Sequence, residues 1–385
     1  MKENVESFLK DSVKDSDSIK GNIKDSIKEN IKERVESFLK DSIGERVESF
    51  LKDSIKERVF TGASYAIRIG DSLTVNSVGT LGETEQLVGN DTLFDIASCT
   101  KLFTSLAFIR LMEEGKVALT DRVDRYLPTW KGYPTGEITM FQLLTHTSML
   151  PAHIPLYEIS KDKEGALEVL KHILPRKSSG VEYSCLGFIV LGRVLEEVAG
   201  LPLEEVIGCY ITRPLGMSNT MYCPNKKNIP NIMPTEYCVW RKRRLIGEVH
   251  DENAYHMGGV SGNAGIFSNI TDMCRMADAM LWKEGEDKTG RLLDKKTISI
   301  MTRNYTGEYG ENRGLGWCIK NIPDMTVGEY FSDSSFGHTG YTDTSIWIDP
   351  VKDSYAILLT NRVYYSRDVD KIRHVRQIFH NLAML

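Results

Sequence analysis

Strand-patterned segments stand at both ends of this 385-residue chain, and helix-patterned segments fill the stretch between them. The run from Thr61 to Val75 reads as two strands turning at Gly70-Asp71. Strands return at about 315–320, 326–331, 343–348 and 354–360, ahead of a last helix from about 367. In between, apolar spacing predicts helices over about 99–114, 140–146, 163–173, 185–198, 203–212, 271–283 and 294–302, with Gly or Pro between them. That order implies a discontinuous α/β part, about 45–120 and 305–385, and a helical part, about 121–304, with a cleft where they meet.

Ahead of this lies a duplicated segment. Arg34 to Ile43 returns at Arg46 to Ile55, twelve residues on, and Val5 to Ser12 is an earlier partial copy. Apolar residues fall at every fourth position from Ile19 to Val59. Four residues overshoot a helical turn, so the stripe drifts by roughly 40° per step and winds around the helix instead of holding a coiled-coil seam. Gly21 and Gly44 are the expected breaks into shorter helices. Residues 1–58 carry 13 basic and 14 acidic side chains, a balanced surface and no polybasic anchor. Residues 1–44 are therefore expected to form a helical extension outside the catalytic domain, which spans 45–385.

A net charge of -5 gives no basic excess for nucleic acid or an anionic membrane surface. The start, Met1-Lys2-Glu3-Asn4-Val5-Glu6, lacks the apolar core of a secretory signal, and no stretch approaches the ~18 apolar residues of a membrane span. A cytoplasmic protein is the expectation. Seven scattered cysteines without a Cys-x-x-Cys pair suggest reduced thiols. His250, Asp251 and His256 match no strong ligand spacing, and Asp251 suits a cap, so no metal and no cofactor are expected.

The chemistry starts at Ser98. Ser-x-x-Lys occurs five times, beginning at Ser7, Ser37, Ser49, Ser98 and Ser160, and context separates the copies. The first three lie in the charged repeats and the last in a solvated run, whereas Ser98 follows the apolar approach Leu93-Phe94-Asp95-Ile96-Ala97 and leads into a long apolar helix. Residues three apart share a helix face, so the Lys101 amine reaches the Ser98 hydroxyl and can activate it as a nucleophile.

Two motifs follow in order: Tyr183-Ser184-Cys185 at the start of an apolar helix, and His338-Thr339-Gly340 ahead of the strand Thr344 to Ile348. The ordered set resembles the serine penicillin-recognising hydrolases, specifically the class C β-lactamase-like group with its esterase and peptidase relatives. The strings Leu143 to Ser148, Pro214 to Thr220 and Gly314-Leu315-Gly316-Trp317 look like the same group. Gly247 to Ala254, Gly258 to Ser268 and Gly337 to Ser345 also resemble a cytoplasmic branch associated with bacterial cell-wall recycling, some of whose members remove peptides from muropeptides. The resemblance implies a β-lactamase-like fold, an antiparallel sheet flanked by helices plus a helical domain. It also implies one cluster of Ser98, Lys101 and Tyr183, with the base unassigned between Lys101 and Tyr183, and an oxyanion hole at the backbone N–H groups of Ser98 and Tyr341.

Two departures bear on the substrate. His338, counted with Ser98, Lys101 and Tyr183 among the expected catalytic residues, stands where typical β-lactamases have Lys; it supplies no permanent cation and is expected to change charge near pH 6.5. Cys185 stands where they usually have Asn, and a thiol offers no amide donor and acceptor to an acylamino group. Cys185, Thr339 and Gly340 are the expected substrate contacts, and Cys185 is read as a small residue and not as a second nucleophile. His146 is read as structural. The expected function is a serine hydrolase forming an acyl-enzyme on small esters or amides, muropeptide-type amides among them, with weak or absent β-lactamase activity. The alternative is a protein that binds or senses penicillins or cell-wall peptides without turnover.

Overall fold

The computed structural model describes residues 43–176, 179–225, 230–281, 292–320 and 325–385. The chain divides into two compact units, residues 1–48 and 49–385. In the first, residues 43–48 are helical, and the repeats over 1–42 lie outside the described residues.

In the second unit, six strands form one sheet: β1 (Gly62–Ile69), β2 (Ser72–Gly79), β3 (Cys318–Ile319), β4 (Phe336–Thr339), β5 (Ser345–Asp349) and β6 (Ser354–Thr360). Their order is β2-β1-β6-β5-β4-β3, antiparallel at every pairing. The two ends of the chain thus meet at β1 and β6, where Tyr65 faces Leu358 and Ile67 faces Ala356. Gly70, at φ +57°, makes the expected hairpin turn, a conformation that costs a residue with a Cβ roughly 1–2 kcal/mol. The strand expected at 326–331 does not form. Gly328 sits there at φ +81°, and a Cβ on it would lie 2.4 Å from Asn381 Oδ1, so this segment turns and the strand begins later, at Phe336.

The sheet is covered on both faces. Successive side chains alternate across it, so Tyr65 meets Phe379 of the C-terminal helix (Asp370–Ala383) at 6.2 Å while Arg68 pairs on the other face with Asp278 of the helix Ile270–Met280. All seven residues of β6 are accordingly buried.

Helix α1 (Thr100–Glu113) has eleven of its fourteen residues buried, which marks a central core helix rather than an amphipathic surface one. It packs with α2 (Cys185–Ala199) in one continuous apolar core through Leu102, Leu106, Phe188 and Leu195. The main-chain loop 261–264 presses onto α2 so closely that a Cβ on Gly262 would lie 2.2 Å from the Phe188 carbonyl oxygen. Ser98, Lys101, Tyr183 and Cys185 therefore sit at the starts of two helices anchored in this core.

Candidate active site

Ser98 lies in a short 3-10 turn, Ala97–Cys99, that feeds α1. Ala97 has φ +45°, a left-handed conformation that bends the strand into the helix. The bend is clamped by Asp95, whose buried carboxylate accepts from the Ala97 N–H at 2.8 Å and from the His250 N–H at 2.7 Å. Ser98 itself is only half-buried, so its hydroxyl opens on a cavity.

Lys101 is fully buried, and its Nζ donates to Ser98 Oγ at 3.0 Å and to the Asn263 carbonyl at 3.0 Å. Asn263 arrives there because Thr104 Oγ1 of α1 donates to the neighbouring Gly262 carbonyl at 2.8 Å. Cys185 Sγ lies 3.5 Å from the same Nζ, and the centre of the Tyr183 ring lies 5.0 Å from it.

Tyr183 is held from behind. Ser184 caps α2, accepting from Gly187 N–H, and its own N–H donates to His146 Nδ1 at 3.1 Å. The His146 ring packs on Tyr183 at 4.5 Å, so the residue read as structural orients the tyrosine. Burial and the cations of Arg313 and Lys101 hold His146 well below the usual histidine range, hence neutral.

The proton chemistry belongs to the set. Burial works against the Lys101 ammonium, but Cys185 and Tyr183 favour it and the net direction is upward. Burial likewise pushes the Tyr183 phenol and the Cys185 thiol up, against the opposing pull of Lys101. The three groups hold their protons jointly, and the set can accept a proton from Ser98 only after it has released one.

The opposite wall is the turn between β4 and β5. His338 is buried, and its Nδ1 donates to the Thr339 carbonyl at 2.7 Å. Burial, with Lys101 and Arg313 nearby, lowers its pKa to about 3. This corrects the expected charge change near pH 6.5: His338 is neutral across the physiological range. Gly340 approaches the serine turn so closely that a Cβ would lie 2.2 Å from Thr344 Oγ1 and 2.5 Å from the Ile96 carbonyl oxygen. Thr342 Oγ1 donates to the Asp95 carbonyl at 2.7 Å and Thr344 Oγ1 to the Ile96 carbonyl at 3.0 Å, stitching this turn to the approach to Ser98. Arg362 donates to the Tyr341 carbonyl at 2.6 Å, and His250 stacks on the Tyr341 ring at 5.6 Å. Among the described residues, the N–H groups of Ser98 and Tyr341 donate to no backbone carbonyl.

A cavity of about 260 Å³ joins these walls and is lined by Ser98, Tyr183, Arg313, His338, Thr339, Gly340 and Tyr341, among others. Lys101 is fully buried, and Cys185, which is half-buried, meets its Nζ. Sequence reasoning did not single out Asn263, whose contribution is a carbonyl, or Arg313, although Arg313 directly precedes the string Gly314 to Trp317. Asp251 caps the helix Glu252–His256 by accepting from Ala254 N–H, as its position suggested. The described residues hold no cluster of metal-ligating side chains, and none of their helices is long and apolar enough to cross a membrane.

The beta-lactamase family model matches residues 31–379. The chain belongs to the beta-lactamase family. Among curated relatives, it is 33% identical over 305 residues to a Salmonella typhi protein named "Putative D-alanyl-D-alanine carboxypeptidase", covering 71% of this chain and 70% of the relative. Two of the solved structures that share the beta-lactamase fold show the likeness. One is EstCE1, "a hydrolase with promiscuous acyltransferase activity", with TM-score 0.70 and 21% identity over 88% of this chain and 99% of that one. The other is a class C beta-lactamase in complex with cefoxitin, with TM-score 0.73 and 19% identity over 90% of this chain and 99% of that one. Membership places this chain in the serine hydrolase superfamily and bears out the expected β-lactamase-like fold.

Proposed function

We propose that this beta-lactamase family member hydrolyses small esters or amides through an acyl-enzyme on Ser98. The observation that carries the reading is the 3.0 Å bond from the fully buried Lys101 Nζ to the half-exposed Ser98 Oγ. Burial makes a charge there costly unless it serves a partner, and the partner is a serine facing a cavity.

Ser98 Oγ attacks the substrate carbonyl carbon while its proton passes into the Lys101–Tyr183–Cys185 set, which has already lost one. The oxyanion so formed is stabilised by the N–H groups of Ser98 and Tyr341. Collapse of the intermediate breaks the bond to the leaving group, which departs as alcohol or amine with the proton from the set. Water then attacks the acyl carbon and gives a proton to the set; collapse breaks the bond to Ser98 Oγ, which takes that proton from the set, and the acid and free Ser98 hydroxyl are released.

A cavity of about 260 Å³ suits a small acyl donor, and the carboxypeptidase name of the Salmonella relative supports peptide amides of the muropeptide type. Neutral His338, and a thiol at Cys185 that offers no amide donor and acceptor, support weak or absent β-lactam hydrolysis. Steady-state assay on p-nitrophenyl acetate tests the reading: Ser98→Ala should lose at least ~10³-fold in kcat/KM with its fold intact. Unchanged turnover in the folded variant would overturn it.

A further inference from the structure

Arg313 is a buried guanidinium whose carbon lies 5.2 Å from the centre of the Tyr183 ring. Its place is fixed by the turn that follows it. Gly314 N–H donates to the Trp317 carbonyl and Gly316 N–H to the Leu144 carbonyl, both at 2.8 Å, and Gly316 at φ +79° lies so close to α1 that a Cβ would meet Ser105 Oγ at 1.8 Å. Arg313 donates to Cys318 Sγ at 2.7 Å and pairs with Glu311. The Glu311 side chain is 41% exposed and that of Arg313 only 11%, so water screens the carboxylate more than the guanidinium.

The groups facing Tyr183 are Lys101 of α1, Cys185 of α2, His146, His338 of β4 and Arg313, with Asp251 acting on Lys101 and Cys185 from farther away. Both histidines are neutral. Among the described residues, Arg313 is therefore the permanent cation that faces Tyr183 apart from the set itself.

We propose that Arg313 is an electrostatic positioning residue: its fixed charge makes the Lys101–Tyr183–Cys185 set release its first proton at lower pH than it otherwise would. This rests on the proposed role of that set at Ser98. A nearby cation favours both a tyrosinate and a neutral lysine, so the direction is the same whichever group acts as base.

The test is the acid limb of kcat/KM on a neutral ester, whose midpoint reports proton release by the free enzyme. Arg313→Met should move the limb up by about 1 pH unit, and Arg313→Lys should leave it within about 0.3 unit of wild type. Adding His338→Lys to Arg313→Met places a new ammonium near the same ring, whose centre lies 6.0 Å from that of His338, and should return the limb at least halfway. Glu311→Gln, at a half-exposed site that should fold normally, should move the limb down by a few tenths of a unit. A structural role alone would lower kcat without moving the midpoint. Turnover with unmoved limbs in Arg313→Met, or in Glu311→Gln should Arg313→Met fail to fold, overturns the assignment of Arg313 alone. Absence of Ser98-dependent turnover in the wild type overturns the function and this assignment together.

Discussion

The His338 ring donates its Nδ1 proton to the carbonyl of the next residue, Thr339, at 2.7 Å. That bond leaves Nε2 as the site at which the ring would gain charge, and Nε2 is buried without a partner among the described residues. Protonation is disfavoured there by burial and by Lys101 and Arg313, which is why the pKa falls to about 3.

The kcat/KM profile should consequently show no inflection belonging to His338 between about pH 5 and 8. His338→Gln, compared with wild type on a neutral ester, should change the height of the profile and not its midpoints. A wild-type inflection near pH 6.5 that disappears in His338→Gln would contradict this.

Three buried histidines also shape stability. Burial lowers His338 and His380 to about 3 and His146 well below its ordinary value, so in acid the unfolded chain binds protons that the fold refuses. Their contribution is complete above about pH 6.5 and is lost as pH falls toward 3. Asp343 opposes them: burial raises it to about 6 despite Arg376 and Arg362, so its contribution is present in acid and lost as pH rises through 6. The melting temperature should fall between pH 6.5 and 4, with a net uptake of about one to two protons on unfolding at pH 5. Calorimetry in buffers of different ionisation enthalpy reads that uptake, and zero uptake or net release would refute it.

Much of this arrangement was legible in the sequence, for identifiable reasons. The hairpin at Gly70, the buried helix after Ser98 and the late strands carry strong local periodicity, and the spacing of Ser98 and Lys101 dictates their contact. The strand Phe336–Thr339 was missed because it is short and its Gly-His-Thr segment has little strand propensity. Arg313, His146 and Asn263 reach the site through tertiary approach, by a glycine wedged on Ser105, a stacked ring and a main-chain carbonyl. No local pattern encodes such contacts.

The wedge makes a stability prediction. Gly316→Ala adds a Cβ 1.8 Å from Ser105 Oγ at a positive φ, so it should cost at least ~2 kcal/mol through overpacking and backbone strain. Ser105→Gly in the same chain removes both atoms it would strike and should recover part of that loss in denaturant unfolding. A neutral Gly316→Ala would show that the turn shifts freely and does not fix Arg313.

Lys101→Ala and Tyr183→Phe should each lower kcat/KM by at least ~10²-fold, and the double variant should lose far less than their product, because the first change already disables the shared proton set. Multiplicative losses in a complete double-mutant cycle would assign the two residues independent roles.

The central claim is a transient acyl bond at Ser98, and intact-mass spectrometry during turnover of a p-nitrophenyl ester tests it most directly. The account predicts a single acyl adduct that maps to Ser98, forms within the first turnovers, clears as substrate is exhausted and is absent in Ser98→Ala. Steady turnover in the wild type with Ser98 never acylated, or an adduct that persists in Ser98→Ala, would contradict it.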